Sequence, residues 1–133
     1  MPLYKCHIPK NSIPSDAKAQ IAEGFTDVHC GITGAPRHFV HVMFFDASKA
    51  GSEDGAPYFI DGINRAGRSA EVKHQILDGL KATFSEVAGV PLSEISGRIG
   101  EIPASHFMEE GVILPEPGEE GAEWHTVGAA LRE

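Results

Sequence analysis

With 133 residues, the chain can build one domain with a sizeable core but not two independent ones. Its 19 acidic residues outnumber its 11 lysines and arginines, giving a formal net charge of -8, and no block of like charge or basic stripe appears. Nucleic acid and anionic membrane surfaces are therefore poor partners, and we expect neither.

The amino-terminal part of the chain reads as strand, helix, strand. Residues 3–8 and 38–45 are rich in β-branched and aromatic side chains, which is typical of strands. Between them, apolar residues recur at spacings of three and four over residues 15–32, which predicts an amphipathic helix with Ser15 as its N-cap. The apolar stripe of this helix comprises Ala17, Ile21, Phe25, Val28 and Ile32.

A second unit of the same kind follows a polar, Gly-rich connector over residues 46–56, which we expect to be mobile. Strands are predicted over residues 57–63 and 95–102. The helix between them, residues 69–88, opens at Ser69 and closes near Gly89 and Pro91. Its apolar stripe comprises Val72, Ile76, Leu80, Phe84 and Val87.

The two units form an internal repeat. Shifting the chain against itself by 55 positions aligns identical residues, which indicates one βαβ unit used twice. The first unit spans residues 2–46, the linker 47–56 and the second unit 57–102. The aligned pairs are Pro2 with Pro57, Lys18 with Lys73, Gln20 with Gln75, Ile21 with Ile76, Gly24 with Gly79, Gly34 with Gly89 and Pro36 with Pro91.

Two right-handed βαβ units predict a single α+β domain with a four-stranded sheet and both helices on one face. The other face of the sheet then needs cover, which argues against a monomer. A ferredoxin-like ligand-binding module has the same element order and usually dimerises, so the order alone leaves both open. Residues 103–133 read as a hairpin or arm that could reach a neighbouring subunit.

Four local features occur in order along the chain: a proline directly after the initiator Met, then FTDVHCGITG, INRAGRSAEVKHQI and GEIPASHFMEEGVILPEPGEEGAEW. Together they resemble the cis-3-chloroacrylic acid dehalogenase family of the tautomerase superfamily, over nearly the whole chain. The resemblance implies a tautomerase-like β-α-β fold, with two βαβ units per subunit assembled as a homotrimer.

Carried over residue by residue, the resemblance implies a catalytic proline at Pro2 and a substrate-orienting histidine at His29. It also implies carboxylate-binding arginines at Arg65 and Arg68 and a water-activating glutamate at Glu109. One position departs from the family pattern, because Arg98 stands where the family has a tyrosine. If Arg98 faces the site, it becomes a further carboxylate-binding candidate; if it faces outward, the site lacks the tyrosine. Either orientation puts efficient dehalogenation in doubt.

The chemistry of these residue types fits the implied roles. Removal of Met1, which generally occurs before a small second residue, would turn Pro2 into a secondary amine able to act as a general base. Arg65 and Arg68 precede a predicted helix amino terminus, where a planar carboxylate is favoured. His29, on the flank of a helical stripe, could donate a hydrogen bond to a substrate oxygen. Each residue also has a structural reading: a solvated arginine pair, a boundary histidine, or surface acids at 109–110.

We therefore expect a cofactor-independent enzyme that tautomerises a small carboxylic acid resembling phenylenolpyruvate. A side activity is also expected, in which Glu109 activates water for hydration or dehalogenation of unsaturated acids. A hypothesis of another class is a noncatalytic module that binds small ligands or proteins on the same scaffold. Retention of Met1 would favour that module, because an acylated Pro2 nitrogen has no basic lone pair.

We expect no metal and no cofactor, because neither ligand spacing nor a nucleotide-binding glycine loop is present. The expected partners are a small-molecule carboxylate and further copies of the chain. The two cysteines, Cys6 and Cys30, could form at most one disulfide, which is few for a secreted domain of this size, so we expect free thiols. The sequence carries no recognisable leader and no membrane-length apolar run, so we expect a cytoplasmic protein.

Overall fold

The computed structural model describes residues 2–46 and 55–121. Two helices and four long strands follow one another in the predicted order, and a two-stranded hairpin comes after them. The predicted connector lies largely at 47–54, outside the described residues, as does the end of the arm after residue 121. The elements are β1 (Leu3–Ile8), α1 (Ser15–Thr33), β2 (His41–Asp46), β3 (Tyr58–Arg65), α2 (Ala70–Ala88), β4 (Ile95–Ile102), β5 (Met108–Glu109) and β6 (Val112–Ile113).

The four long strands form one mixed sheet in the order β2-β1-β3-β4. Each βαβ unit contributes a parallel pair, β1 with β2 and β3 with β4, and the two units join through the antiparallel pair of β1 and β3. Both helices pack on the same face, where Tyr4, Ile60, Phe25 and Phe84 belong to one buried core. The predicted α+β fold of two βαβ units is confirmed.

The helix boundaries correct one prediction and confirm another. Pro14, in extended backbone, is the N-cap of α1, so Ser15 is its first helical residue and makes no cap. A proline suits this position because it lacks the N–H that would otherwise need a partner. Ser69 does cap α2, since its side chain accepts a hydrogen bond from the backbone N–H of Val72.

The repeat extends to details of the helices. Both end at a left-handed glycine, Gly34 or Gly89, and a short 3-10 turn follows each at the same spacing, at Arg37–Phe39 and Leu92–Glu94. The helices also contact each other symmetrically. A Cβ on Gly24 would clash with the Thr83 methyl, and a Cβ on Gly79 would lie 2.7 Å from Cγ1 of Val28.

The first strands of the two units, β1 and β3, repeat at a spacing one residue shorter than the helices do. A shift of 55 would align Lys5, half-exposed, with Ile60, which is fully buried in the core. Because side chains alternate between the two faces of a strand, an even shift is needed to keep equivalent residues on one face. A shift of 54 meets this condition and pairs Tyr4 with Tyr58, which both pack toward the helices. The alignment of Pro2 with Pro57 is therefore one residue out of step with the fold.

The second strand begins later than predicted. Residues 37–39 form the 3-10 turn, which buries Phe39, and β2 starts at His41. The first strand hydrogen bond is donated by the His41 backbone N–H to the Pro2 carbonyl, at 3.0 Å. A continuous strand over 38–45 would have removed Phe39 from the small cluster that it forms with Phe107 and Leu114.

The hairpin of β5 and β6 covers one end of the sheet face away from the helices. Its two turn residues, Glu110 and Gly111, have φ of 53° and 78°, as the tightest hairpin turns require. Phe107 and Leu114 pack with Ile63 and Ile102 of the sheet. Within residues 2–46 and 55–121 the rest of this face has no cover, and Met43 and Phe45 are 47% and 37% exposed. No helix in the described part of the chain is long and apolar enough to cross a membrane.

Candidate active site

A cleft lies where β1 begins. Because β1 runs parallel to β2 and antiparallel to β3, its first residue lies beside the start of β2 and the end of β3. Four of the residues singled out in the sequence meet here, and two apolar side chains and an asparagine complete the lining. The lining comprises Pro2, His29, Ala35, Phe39, Asn64, Arg65 and Arg68.

Pro2 is buried at the base of this cleft. Its carbonyl is held by β2, since it accepts the hydrogen bond from the His41 backbone N–H. The pyrrolidine ring ties the nitrogen to the side chain, so burial of Pro2 limits where the ring nitrogen can lie. The ring belongs to a cleft that polar side chains also line.

His29 reaches the cleft from α1 and is only 1% exposed. Its Nδ1 lies 2.7 Å from the Tyr4 hydroxyl oxygen, and the same hydroxyl donates to Oδ1 of Asn64 at 3.1 Å. Tyr4 and Asn64 are also fully or almost fully buried. The three side chains therefore form one buried hydrogen-bonded chain that links α1, β1 and β3.

The electrostatic setting keeps His29 neutral. Burial first, and then the nearby guanidinium groups of Arg68 and Arg65, lower the pKa of His29 from 6.5 to about 3. Burial also raises the pKa of Tyr4 above its ordinary value of 10.0. At neutral pH the chain of His29, Tyr4 and Asn64 thus carries no net charge.

Arg65, at the end of β3, is 5% exposed and is held by the segment after the hairpin. Its guanidinium donates to the Pro115 carbonyl and to the Glu120 carboxylate, the latter at 3.0 Å. The Glu120 carboxylate thus binds the Arg65 guanidinium, which the family resemblance assigned to a substrate carboxylate. Charge-assisted contacts of this kind are the strong ones, so the segment 115–120 is held against Arg65.

Arg68 lies one residue before the Ser69 cap of α2 and is half-buried. Burial lowers the pKa of Arg68, and the neighbouring charge of Arg65 lowers it too. Its one described hydrogen bond is a long contact of 3.5 Å to the Arg65 carbonyl. Two cations held together at a helix amino terminus favour an incoming anion, which would relieve their repulsion.

Glu109 lies in β5, is 6% exposed, and is not part of the cleft lining. Its Oε1 lies 3.9 Å from Nε2 of His41, the residue whose backbone holds Pro2. The hairpin therefore brings a buried carboxylate to the side chain of His41, whose backbone N–H bonds the Pro2 carbonyl.

Arg98 points away from the cleft. It lies on the sheet face opposite the helices, is 71% exposed at its side chain, and donates to Asp61 at 3.0 Å. Lys5, on the adjacent strand β1, approaches the same Asp61 at 3.9 Å. Within one chain, Arg98 is thus part of a surface row of charges, and the structure does not bring it together with Pro2.

Three functional candidates were missed in the sequence: Tyr4, Asn64 and Glu120. Asn64 lies inside the motif INRAGRSAEVKHQI, directly before Arg65, so its position beside a candidate site residue could have indicated a role. Tyr4 follows Pro2 at the strand alternation of two, which predicts the same side of the strand. Glu120 had no signal, because its role depends on a long-range contact. In the described residues, no group of three or more His, Cys, Asp or Glu could hold a metal ion.

Comparisons with known proteins converge on one family. Residues 1–128 match a family model described as "Putative oxalocrotonate tautomerase enzyme". The solved structure of N1, a member of the cis-3-chloroacrylic acid dehalogenase (cis-CaaD) family, is 26% identical with a TM-score of 0.77, and the match covers 96% of this chain and 99% of that one. No curated protein sequence gives a significant match.

Two further solved structures are similar to the chain. Native Ps01740 is 31% identical with a TM-score of 0.72, and the match covers 80% of this chain and 99% of that one. The symmetric trimer of the wild-type fused 4-OT called Q0 is 20% identical with a TM-score of 0.73, over 89% of this chain and 99% of that one. At this identity the second structure shows the shared fold alone.

Proposed function

The chain belongs to this tautomerase family of cis-CaaD-like proteins, and from that premise we propose that it is a cofactor-independent tautomerase of a small enol or keto carboxylic acid. The observation that carries the proposal is the grouping of Pro2, Arg65, Arg68 and His29 in one buried cleft. A base beside a cationic, water-poor site is what proton transfer next to a carboxylate requires.

Pro2 is the general base and acid of the proposed reaction. With Met1 removed, its nitrogen is a secondary amine, and both its burial and the two neighbouring guanidinium groups favour the neutral, basic form. The amine takes the proton from the enol oxygen and delivers it to the other carbon of the enol double bond. The ketone therefore forms without any cofactor. One well-placed base is enough for this chemistry.

Arg68 is the first partner of the substrate carboxylate, because Arg65 already donates to Pro115 and Glu120. The depressed pKa of Arg68 marks a half-buried cation in a like-charged setting, which an anion would stabilise. Arg65 joins when the substrate displaces Glu120. The proposed ligand is thus a small monocarboxylate that enters beside α2.

The proposed active form is a homotrimer. The sheet face away from the helices leaves Met43 and Phe45 exposed, and exposed apolar patches of this kind mark association surfaces. The Q0 fused 4-OT, which has the same fold, is described as a symmetric trimer. Packing of the open faces of three subunits would also bury the charged row that contains Arg98 against a neighbour.

The experiment follows the ultraviolet decay of phenylenolpyruvate with native-terminus protein, with Pro2→Ala and with the control Pro57→Ala. Pro57 is exposed and precedes β3, so its substitution keeps the site intact. We expect the native and control proteins to ketonise the substrate and Pro2→Ala to lose at least ~100-fold in kcat/KM. No rate above buffer, with Met1 confirmed absent by intact mass, would overturn the tautomerase proposal and favour the noncatalytic binding module.

Hydration of unsaturated acids is a second candidate function, and the buried carboxylate of Glu109 near the Pro2 end of the sheet favours it. Glu109 would activate water, while the minor fraction of Pro2 that is protonated supplies the proton to carbon. Glu109→Gln should then abolish halide release from cis-3-chloroacrylate and leave phenylenolpyruvate ketonisation within about two-fold. Equal loss of both activities would remove the separate role of Glu109, and no halide release from the unmodified protein would remove hydration itself.

A further inference from the structure

The buried chain of Tyr4, His29 and Asn64 has a defined hydrogen-bond polarity. A tyrosine hydroxyl carries one proton, and it donates that proton to the Asn64 amide oxygen, which can only accept. The contact of 2.7 Å between the Tyr4 oxygen and His29 Nδ1 then needs its proton from the histidine. The imidazole is therefore protonated on Nδ1, and its Nε2 carries a lone pair.

Two polar atoms are left over, and both belong to residues that line the cleft. His29 Nε2 and Asn64 Nδ2 are fully buried, and within residues 2–46 and 55–121 neither has a hydrogen-bond partner. Buried polar atoms without partners are costly, so a ligand that supplies the complementary groups gains from pairing with them. One atom is an acceptor and the other a donor.

We infer that Tyr4 is a positioning residue that makes His29 a hydrogen-bond acceptor and Asn64 a donor toward the substrate. The inference rests on the proposed function and names its substrate class: acids with a hydroxyl on the carbon next to the carboxylate, as in an enol acid. In the bound substrate the hydroxyl donates to His29 Nε2, and a carboxylate oxygen accepts from Asn64 Nδ2. For the proposed proton transfer the O–H turns from His29 to the Pro2 nitrogen, which takes its proton. The sequence had suggested the opposite role for His29, as a donor.

The second half of the repeat provides an internal comparison. Tyr58 is the strand equivalent of Tyr4, and Phe84 is the helix equivalent of His29. The rings of Tyr58 and Phe84 lie 5.5 Å apart, close to the 5.8 Å between Tyr4 and His29. The same packing thus exists twice, but only the first copy replaces the phenylalanine with an imidazole and adds a polar partner. Burial alone does not require the polar chain.

The same geometry has a consequence for product release. A keto acid presents only acceptor oxygens, so its carbonyl would face the His29 lone pair without a proton between them. The enol presents a proton to that lone pair. The site consequently binds the hydroxylated form in preference to the ketone, which favours departure of the product.

The first test reads the tautomer of His29 directly, without any activity assay. Long-range proton–nitrogen NMR spectra of the full-length native-terminus protein at pH 7 should show His29 protonated on Nδ1 and unprotonated on Nε2. The His29→Gln spectrum assigns the signals by their loss. An Nε2-protonated ring in the unmodified protein would overturn the inference, because Tyr4 would then donate to His29.

The second test compares two probes that differ by one hydroxyl, phenyllactate and 3-phenylpropionate. We expect phenyllactate to bind about five-fold more tightly, the value of one net hydrogen bond. Tyr4→Phe should remove this difference, while the matched control Tyr58→Phe keeps it. Circular dichroism checks that the variants fold. If Tyr4→Phe does not fold, the comparison of the two acids with the unmodified protein still tests the inference.

The outcomes separate this inference from the proposed function. Equal binding of the two acids by the unmodified protein would overturn the specificity for a hydroxyl, whatever the ketonisation assay gives. Failure of both acids to bind would contradict the carboxylate site of the proposed function. In that case the NMR tautomer still tests the positioning role of Tyr4.

Discussion

His29 illustrates how one residue can lie in a core position and still belong to a site. It is buried in α1 at the position equivalent to Phe84 of α2, so the helix needs a flat ring there for packing. An imidazole meets that need while adding two nitrogens, one bonded to Tyr4 and one facing the cleft. The cost is a buried titratable group that must stay neutral.

This cost predicts an acid-sensitive fold. The unfolded chain binds a proton at His29 below its ordinary pKa of 6.5, whereas the folded chain does so only near 3. The stability from this residue is therefore complete above pH 6.5 and falls as the pH decreases toward 3, by up to ~1.4 kcal/mol per pH unit. Urea unfolding at pH 7 and pH 5 should show a shallower pH dependence for His29→Phe. The exposed control His106→Gln should match the unmodified protein, and identical slopes for all three would contradict the account.

Glu120 offers a second prediction at the residue scale. Its carboxylate is bonded to Arg65, so it competes with a substrate carboxylate. Glu120→Gln should lower KM for phenylenolpyruvate about five-fold, since an ion pair of this kind contributes roughly 1 kcal/mol. The matched control Glu119→Gln should leave KM unchanged. A higher KM in Glu120→Gln would instead mean that Glu120 holds Arg65 in its working position.

The residue roles could be predicted only in part. The motifs pointed to Pro2, His29, Arg65 and Arg68, and the fold brings all four to one cleft. They could not reveal the polarity of the hydrogen bonds around His29, because that depends on Tyr4 from another element. Arg98 shows the converse, since a position in an alignment does not determine which face of a strand the side chain occupies.

At the scale of elements, the two helices are matched at their crossing. Gly24 contacts Thr83, and Gly79 contacts Val28, so each helix presents a glycine to a branched side chain of the other. Periodicity predicted both helices within a residue or two, because each apolar stripe is long and regular. It could not predict the late start of β2, where the burial of Phe39 in the second cluster overrides a strand-like sequence.

The crossing gives a prediction with a control inside the same helix. Gly24→Ala should destabilise the fold by about 1–3 kcal/mol, because its methyl group would force the helices apart. Gly31→Ala should stabilise it by ~0.5–1 kcal/mol, since no atom lies within 4 Å of the added methyl group and alanine is the better helix former. Thermal unfolding of the two variants checks both signs, and destabilisation by both would contradict the helix contact.

For the whole molecule, the open sheet face is the main unsatisfied feature. The hairpin covers one end of that face, and Met43 and Phe45 remain exposed at the other. A pattern of two βαβ units predicted such a face, because both helices must lie on the same side of the sheet. The partner that packs on this face could not be predicted, since the residues of an open sheet face do not specify what binds to it.

The proposed trimer predicts a solution mass three times the chain mass of 14.2 kDa. Met43→Glu places a charge in the open face and should shift the mass toward that of one chain, because burial of an unpaired carboxylate is unfavourable. Gln20→Glu adds the same charge on the exposed surface of α1 and should keep the trimer. Light scattering after size exclusion checks both, and an unchanged mass in Met43→Glu would place the contact elsewhere.

The role of the free Pro2 amine can be measured without any substitution. Protein that retains Met1 is assayed with phenylenolpyruvate, then treated with an aminopeptidase that removes Met1 and assayed again, with intact mass giving the fraction converted. A catalytic Pro2 amine predicts negligible ketonisation before treatment and a rate that rises in proportion to that fraction. An equal rate with Met1 in place would contradict it, because an amide nitrogen cannot act as the base.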